Sequence, residues 1–239
     1  MADRARELWA DLGGAGFAPH LRVAVSPRSR MCPPGWAGVV VIDGTVLVTA
    51  PDRETGRRIE QALSGVPADS LTLLTLLTDA EVRSRQLPIA EMLGPTTLAY
   101  LDAAEFRPRP GGLTTTPLGL DDPALRPFLL AADPADLEES GLEELTTPAF
   151  TVQEHGQVVA AAGYRDWPCR TAHLCVLTAA AARSRGLAHA TGSAAVAHAI
   201  ENDRLPQWRA RIEASRRVAR ALGFRELGAQ VSFRLADRV

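Results

Sequence analysis

The alternation of apolar and polar positions divides the chain into elements before any chemistry is considered. Leu8, Trp9 and Leu12 share one face of a short charged helix over 4–12, which Gly13-Gly14 would stop. The glycine cluster 13–16 has no strand before it, so it reads as a helix-ending loop rather than a nucleotide loop. Leu21, Val23 and Val25 alternate as a strand does, and apolar runs at 39–42 and 45–48 flank Asp43-Gly44, the strongest short hairpin signal. A helix follows Pro51 with Ile59 and Leu63 on one face. A second begins at the capping box Thr78-x-x-Glu81 and is limited by Pro88. Another strand is expected over 96–101.

The segment 106–112, FRPRPGG, is rich in proline and glycine and is read as a linker, with one domain over 1–106 and a second over 113–239. In the second part, 114–118 is a candidate strand and 122–132 and 134–145 are candidate helices. The stretch 149–153 alternates Phe150 and Val152 inward, and His155-Gly156 can form a two-residue turn. The run 158–163 is continuously apolar, as a strand covered on both faces should be. A strand over 171–178 leads into an alanine-rich helix over 186–201, and the chain restarts as a strand at Pro206. Ser215 is expected to cap a helix that ends at Gly223, a position suited to a left-handed residue, with Phe224 folding back on the preceding turn. A closing hairpin follows, with Val231, Phe233 and Leu235 alternating in the last strand. No repeat at solenoid periods is visible.

Composition narrows the classes. A chain of 239 residues that is 46% hydrophobic and 23% charged, with a net charge of −2, is globular and gives no electrostatic reason to bind nucleic acid or an anionic membrane. All 26 basic residues are arginine, which suits phosphate recognition better than lysine. Three cysteines, Cys32, Cys169 and Cys175, are odd in number and fit no metal spacing. They point to a reducing compartment, hence the cytoplasm, and no metal is expected. No run approaches the ~18 apolar residues of a membrane span.

The chemistry concentrates at 172–192, where an apolar strand passes through an arginine-glycine turn into the alanine-rich helix. The first turn of a helix leaves N–H groups unpaired, and with the helix dipole these form a site for anionic oxygens. Gly186 and Ala188 are small enough to let a diphosphate approach the backbone, while Arg183 and Arg185 add positive charge. The spacing Arg183-x-x-Gly186-x-Ala188 after Val176-Leu177-Thr178, followed in order by Trp208, Ser215 and the Ala221-Leu222-Gly223-Phe224 ending, resembles the GNAT superfamily of acyl-CoA-dependent N-acyltransferases. The resemblance covers about 113–235.

The resemblance implies an α/β protein: a GNAT-like splayed mixed sheet flanked by helices, preceded by a smaller α/β N-terminal domain. It implies acetyl-CoA as the acyl donor. Backbone groups of Val176, Leu177 and Thr178 would meet the pantetheine arm, and amides of Arg183, Ser184, Arg185, Gly186, Leu187 and Ala188 the diphosphate. Ser215 would sit beside the arm. An acetyl group would pass to a primary amine of a small molecule or peptide by direct attack on the thioester. The alternative is a sensor or scaffold that binds acyl-CoA without turnover.

Two departures from the family pattern bear on that choice. Ile212 stands where many members carry asparagine, and Ala219 where many carry a tyrosine that protonates the leaving thiolate. Glu139 and His173 are the candidate catalytic groups; Glu138, Glu143 and Glu144 share the expected helix of Glu139 as further candidates, and Glu154 and Glu213 are weaker. Tyr164, Trp167 and Trp208 are candidates to line an acceptor pocket. The arginines at 209, 211, 216, 217 and 220 read as steering a nucleotide phosphate rather than as a nucleic-acid patch. The N-terminal part is assigned to completing the acceptor pocket or to an oligomer interface, such as that of a homodimer.

Overall fold

The computed structural model describes residues 1–18, 22–63, 87–108 and 113–236. The helix proposed from the capping box Thr78-x-x-Glu81 and the last part of the 106–112 linker lie outside the described residues. The chain packs as two compact units, one formed by Met1–Leu98 with Glu226–Val239 and the other by Ala99–Arg225.

The first unit opens with helix α1 (Ala2–Gly13), whose buried face carries Ala5, Leu8, Trp9 and Leu12, and Gly14 ends it in the left-handed conformation, φ 60°. Strands β1 (Val23–Val25), β2 (Ala37–Ile42) and β3 (Thr45–Ala50) follow. The β2–β3 hairpin turns through Asp43 and Gly44, with φ of 48° and 76°, both positive as the two-residue turn that matches strand twist requires. Helix α2 (Arg53–Ala62) is capped by the Asp52 carboxylate, which accepts from Thr55 N–H at 2.8 Å. Strand β4 (Ile89–Tyr100) begins seven residues earlier than its apolar end predicts, because its first half alternates only weakly between buried and exposed positions.

The last strand, β10 (Arg225–Leu235), is a single strand rather than a closing hairpin. Except for its first residue, it belongs to the first unit. It pairs antiparallel with β2 from Gly228↔Ile42 to Phe233↔Ala37, giving the order β1-β3-β2-β10-β4. Val231, Phe233 and Leu235 are buried there with Val39, Val41, Val48 and Ile59. The expected division into 1–106 and 113–239 therefore differs from the packing. Phe106 packs part-buried in the core of the second unit, and Arg107 N–H donates to Leu222 O at 3.0 Å, so the start of the expected linker is anchored.

The second unit carries β5 (Thr116–Leu118), α3 (Leu125–Leu130), α4 (Pro134–Ser140), β6 (Ala149–Glu154), β7 (Gln157–Trp167), β8 (Thr171–Thr178), α5 (Leu187–Glu201), β9 (Leu205–Ala210) and α6 (Glu213–Leu222). From the end of β4 the order is β9-β8-β7-β6-β5. All neighbours from β5 to β8 are antiparallel, while β8 and β9 are parallel. The expected helix over 134–145 breaks at Gly141, φ 62°, and resumes as a 3-10 turn at Leu142–Glu144.

Alanine on several faces lets α5 lie close to its neighbours. A Cβ on Gly192 would meet Leu222 Cδ1 at 3.3 Å and the Trp208 ring at 3.5 Å. Ala195, Val196 and Ala199 of α5 share a core with Ala162, Leu174, Trp208 and Leu222. Among the described residues no helix is long and apolar enough to cross a membrane.

Candidate functional site

The parallel ladder between β8 and β9 runs for three rungs, Thr171↔Leu205, Ala172↔Pro206 and His173↔Gln207, and then stops. The neighbouring β7–β8 ladder continues through Ala160↔Thr178. Ala179 N–H donates back to Val159 O at 2.9 Å, which fixes the alternation along β8. Leu177, opposite Ala161, turns its main chain towards β7. Val176 and Thr178 turn theirs to the other side, where β9 has diverged. Of the three main-chain positions expected to meet a pantetheine arm, Val176 and Thr178 thus face the gap and Leu177 does not.

A cleft of about 490 Å³ occupies this gap. Nine of the ten residues expected to bind the donor line it: Val176, Leu177, Thr178, Arg183, Ser184, Gly186, Leu187, Ala188 and Ser215. Arg185 is outside, with its guanidinium forked onto the Glu154 carboxylate, one N···O distance being 3.0 Å. That pairing holds the Glu154 carboxyl below its usual range and raises the arginine.

The cradle is built by backbone conformation. Ser184 and Gly186 both have positive φ, 62° and 75°, so the chain enters α5 through two left-handed residues. Gly186 is the N-cap and no side chain caps the helix. The first helical bond is Ala190 N–H to Gly186 O at 3.2 Å, so the amides of Leu187 and Ala188 precede any helical acceptor. Arg183 adds charge at the rim, where it is paired with Asp136 at 2.6 Å.

Across the cleft, Ser215 is not the cap of α6. That position falls to Ile212, which has no capping side chain, and Ser215 stands in the first turn with its hydroxyl accepting from Trp208 Nε1 at 2.9 Å. Ser/Thr signatures find helix starts only approximately, because another bond can claim the hydroxyl. Ile212 is 59% exposed and lines the cleft where an amide side chain was absent from the sequence. Ala219, at the tyrosine position, is 2% exposed and buried among Leu222, Phe224 and Trp208, so it brings no proton donor to the cleft.

The two candidate catalytic residues are separated. Glu139 lines the cleft and is hydrogen-bonded to Arg211. His173 is not among the lining residues. Alternation along β8 puts it on the face opposite Leu174 and Val176, where its ring stacks on Trp167 at 4.3 Å and its Nδ1 lies 3.1 Å from Gln207 Oε1. Gln207 Nε2 donates in turn to Tyr100 Oη at 2.9 Å, which makes Oε1 an acceptor and Nδ1 the protonated nitrogen. Burial, with the cations Arg209 and Arg165 behind it, pushes the His173 pKa down to about 3.

Several of the other polar candidates have structural partners. Glu144 pairs with Arg165, and Glu213 with Arg220 and Arg216. Tyr164 is buried and bonded to His198 Nδ1 at 3.1 Å, whereas Trp208 lines the cleft. Of the expected basic run, Arg209 and Arg217 reach the cleft. Arg209 has a more particular setting than the general phosphate-steering role its place in the basic run implies. It stands over the Trp167 ring, 5.7 Å from the centroid, and desolvation lowers its pKa. Strand alternation from Gln207 could have placed it there. Among the described residues, no group of three His, Cys, Asp or Glu side chains is arranged to hold a metal.

Residues 149–230 match a family model described as GNAT acetyltransferase. No curated protein matches the chain. A GCN5-related N-acetyltransferase from Kribbella flavida superposes with a TM-score of 0.51 at 16% identity, covering 66% of this chain and 64% of that one. An acetyltransferase of the GNAT family from Colwellia psychrerythraea gives a TM-score of 0.49 at 13% identity over 84% and 81%. The likeness to the Kribbella flavida structure, at 16% identity, shows a shared fold. The match at residues 149–230 is what ties the C-terminal half of the chain to the GNAT superfamily.

Proposed function

We propose that this chain, with its C-terminal half in the GNAT superfamily, transfers an acyl group, acetyl first among them, from acyl-CoA to a primary amine. The observation that carries the reading is the gap itself. Two outward-facing main-chain positions on β8, Val176 and Thr178, lead into a helix N-terminus left uncapped by any side chain. An amide-bearing arm can extend the β8 ladder as a missing strand would, and a diphosphate can accept from the amides of Leu187 and Ala188.

In the transfer, the amine nitrogen attacks the thioester carbonyl. The C–N bond forms, the C–S bond breaks, the amine gives up one proton and the thiolate gains one. No enzyme-bound acyl intermediate is needed. Main-chain N–H groups at the gap are donors that can face the developing oxyanion. Glu139 reaches the cleft and can take the amine proton directly or through water once it leaves Arg211. His173 is neutral across the physiological range, so its contribution is that of a fixed hydrogen-bonding ring rather than a base.

The second reading, donor binding without turnover, is favoured by one observation: buried Ala219 supplies no acid where many members of the superfamily carry the tyrosine that protonates the leaving thiolate. Calorimetric titration with acetyl-CoA, beside a Gly186→Glu variant checked by thermal melting, tests both. The wild type should bind and the variant, with bulk and negative charge in the cradle, should not. Thiol release on screening primary amines then separates a transferase from a sensor. Absence of binding by folded wild-type protein would sink both readings.

A further inference from the structure

Helix α4 is held by partial packing, by its Asp133 cap and by ion pairs. None of its residues is buried, and Leu137 packs only partly against the core that contains Phe128, Leu142 and Leu177. Two ion pairs tie it across the cleft. Asp136 meets Arg183 on the loop after β8 at 2.6 Å, and Glu139 meets Arg211 on the loop after β9. Asp136, Glu139 and Arg183 all line the cleft. Asp136 and Arg183 also wall a second cavity of about 460 Å³ under α3, whose apolar surface includes Phe128, Val158 and Leu177. The Arg183–Asp136 pair therefore stands between the two cavities and occupies the cation beside the cradle.

We infer that Asp136 is a built-in competitor for the donor's diphosphate, and that α4 is a strap released when the diphosphate takes Arg183. The inference rests on the donor site proposed above. A diphosphate seated on the α5 amides offers the guanidinium more acceptor oxygens and more charge than one carboxylate does, and the planar fork suits either. Once Arg183 turns to phosphate, Asp136 faces like charge and is repelled. The N-terminal end of α4 then loses its tie to Arg183, and the wall between the two cavities parts. Both partners of the pair are about half exposed, at 50% and 41%, so the latch is weak enough to open at each turnover.

Free CoA, which carries the phosphates without turnover, is the probe. The full chain and Asp136→Asn are titrated by calorimetry at low and high salt, and amide exchange is followed through 134–145 with and without CoA. Asp136→Asn should bind CoA roughly three- to fivefold more tightly at low ionic strength, with the advantage shrinking as salt screens the lost charge. Exchange in α4 should rise on adding CoA to the wild type and should already be raised in the variant. Equal affinities with unchanged exchange overturn the inference and leave the donor site standing, as does weaker binding by the variant. Failure of both folded proteins to bind CoA overturns the donor site, and this inference with it.

Discussion

His173 illustrates how much a single side chain's surroundings decide. Its residue type and its place on the strand leading to the cradle were visible in the sequence, and both nominate it for catalysis. The face it points to was not visible, because alternation gives two faces and only the packed structure says which one borders the cleft. Trp167 covers one side of the ring, Gln207 fixes its tautomer, and burial with nearby guanidinium charge holds its pKa at about 3.

A histidine ordinarily near 6.5 that stays neutral when folded gains its proton more readily in the unfolded chain. Its stabilising effect is therefore complete above pH 6.5 and is lost progressively as the pH falls from there towards 3. Denaturant unfolding of wild type and His173→Gln between pH 7.5 and 4 should show a pH-dependent difference approaching one proton per chain in the acidic range. A difference independent of pH would mean that the ring takes up its proton as readily in the folded chain as in the unfolded one.

At the level of elements, the sequence was most legible where geometry leaves a single solution. Asp43-Gly44 and His155-Gly156 turn as two-residue hairpin loops with positive φ at all four residues. The strand over 171–178 has the expected bounds, and the helix after Gly186 begins at Leu187. Legibility failed where a side chain had two possible partners. The Ser215 hydroxyl went to Trp208 instead of the helix end, and Arg185 went to Glu154 instead of the cleft. It failed too at Leu177, whose neighbours at 176 and 178 face the opposite way, a parity set by one backbone bond from Ala179.

Gly223 shows the strength of a single-solution position. Its φ is 100°, it ends α6, and a Cβ there would collide with the carbonyl oxygen of Glu105. Gly223→Ala should cost about 2–4 kcal/mol through strain and collision together. Chemical denaturation would read that loss, and a change below ~0.5 kcal/mol would mean that the loop at Glu105 yields freely.

The whole molecule departs most from what the sequence pattern foretold. Composition and periodicity marked two α/β parts, and the proline-rich stretch at 106–112 was the natural place to divide them. The packing instead divides at 98/99 and returns at 225/226, because local patterning cannot reveal that β10 pairs with β2, some 190 residues away, as in Val231↔Val39. Phe233 is 0% exposed in the core of the first unit. Phe233→Ala should remove about 3–5 kcal/mol from that unit's stability. Hydrogen exchange during denaturant titration should show β2 and β10 opening earlier while α5 and β8 keep their protection. Equal loss of protection in both units would mean that they unfold as one.

The same strand gives the chain an order of assembly. The second unit is contiguous, whereas the first unit, although made first, lacks a strand until the whole of the second has been made. Through that interval the valine-rich edge of β2 waits without its neighbour. The N-terminal part of this protein therefore starts first and finishes last, and it is the part most exposed to mispairing during synthesis.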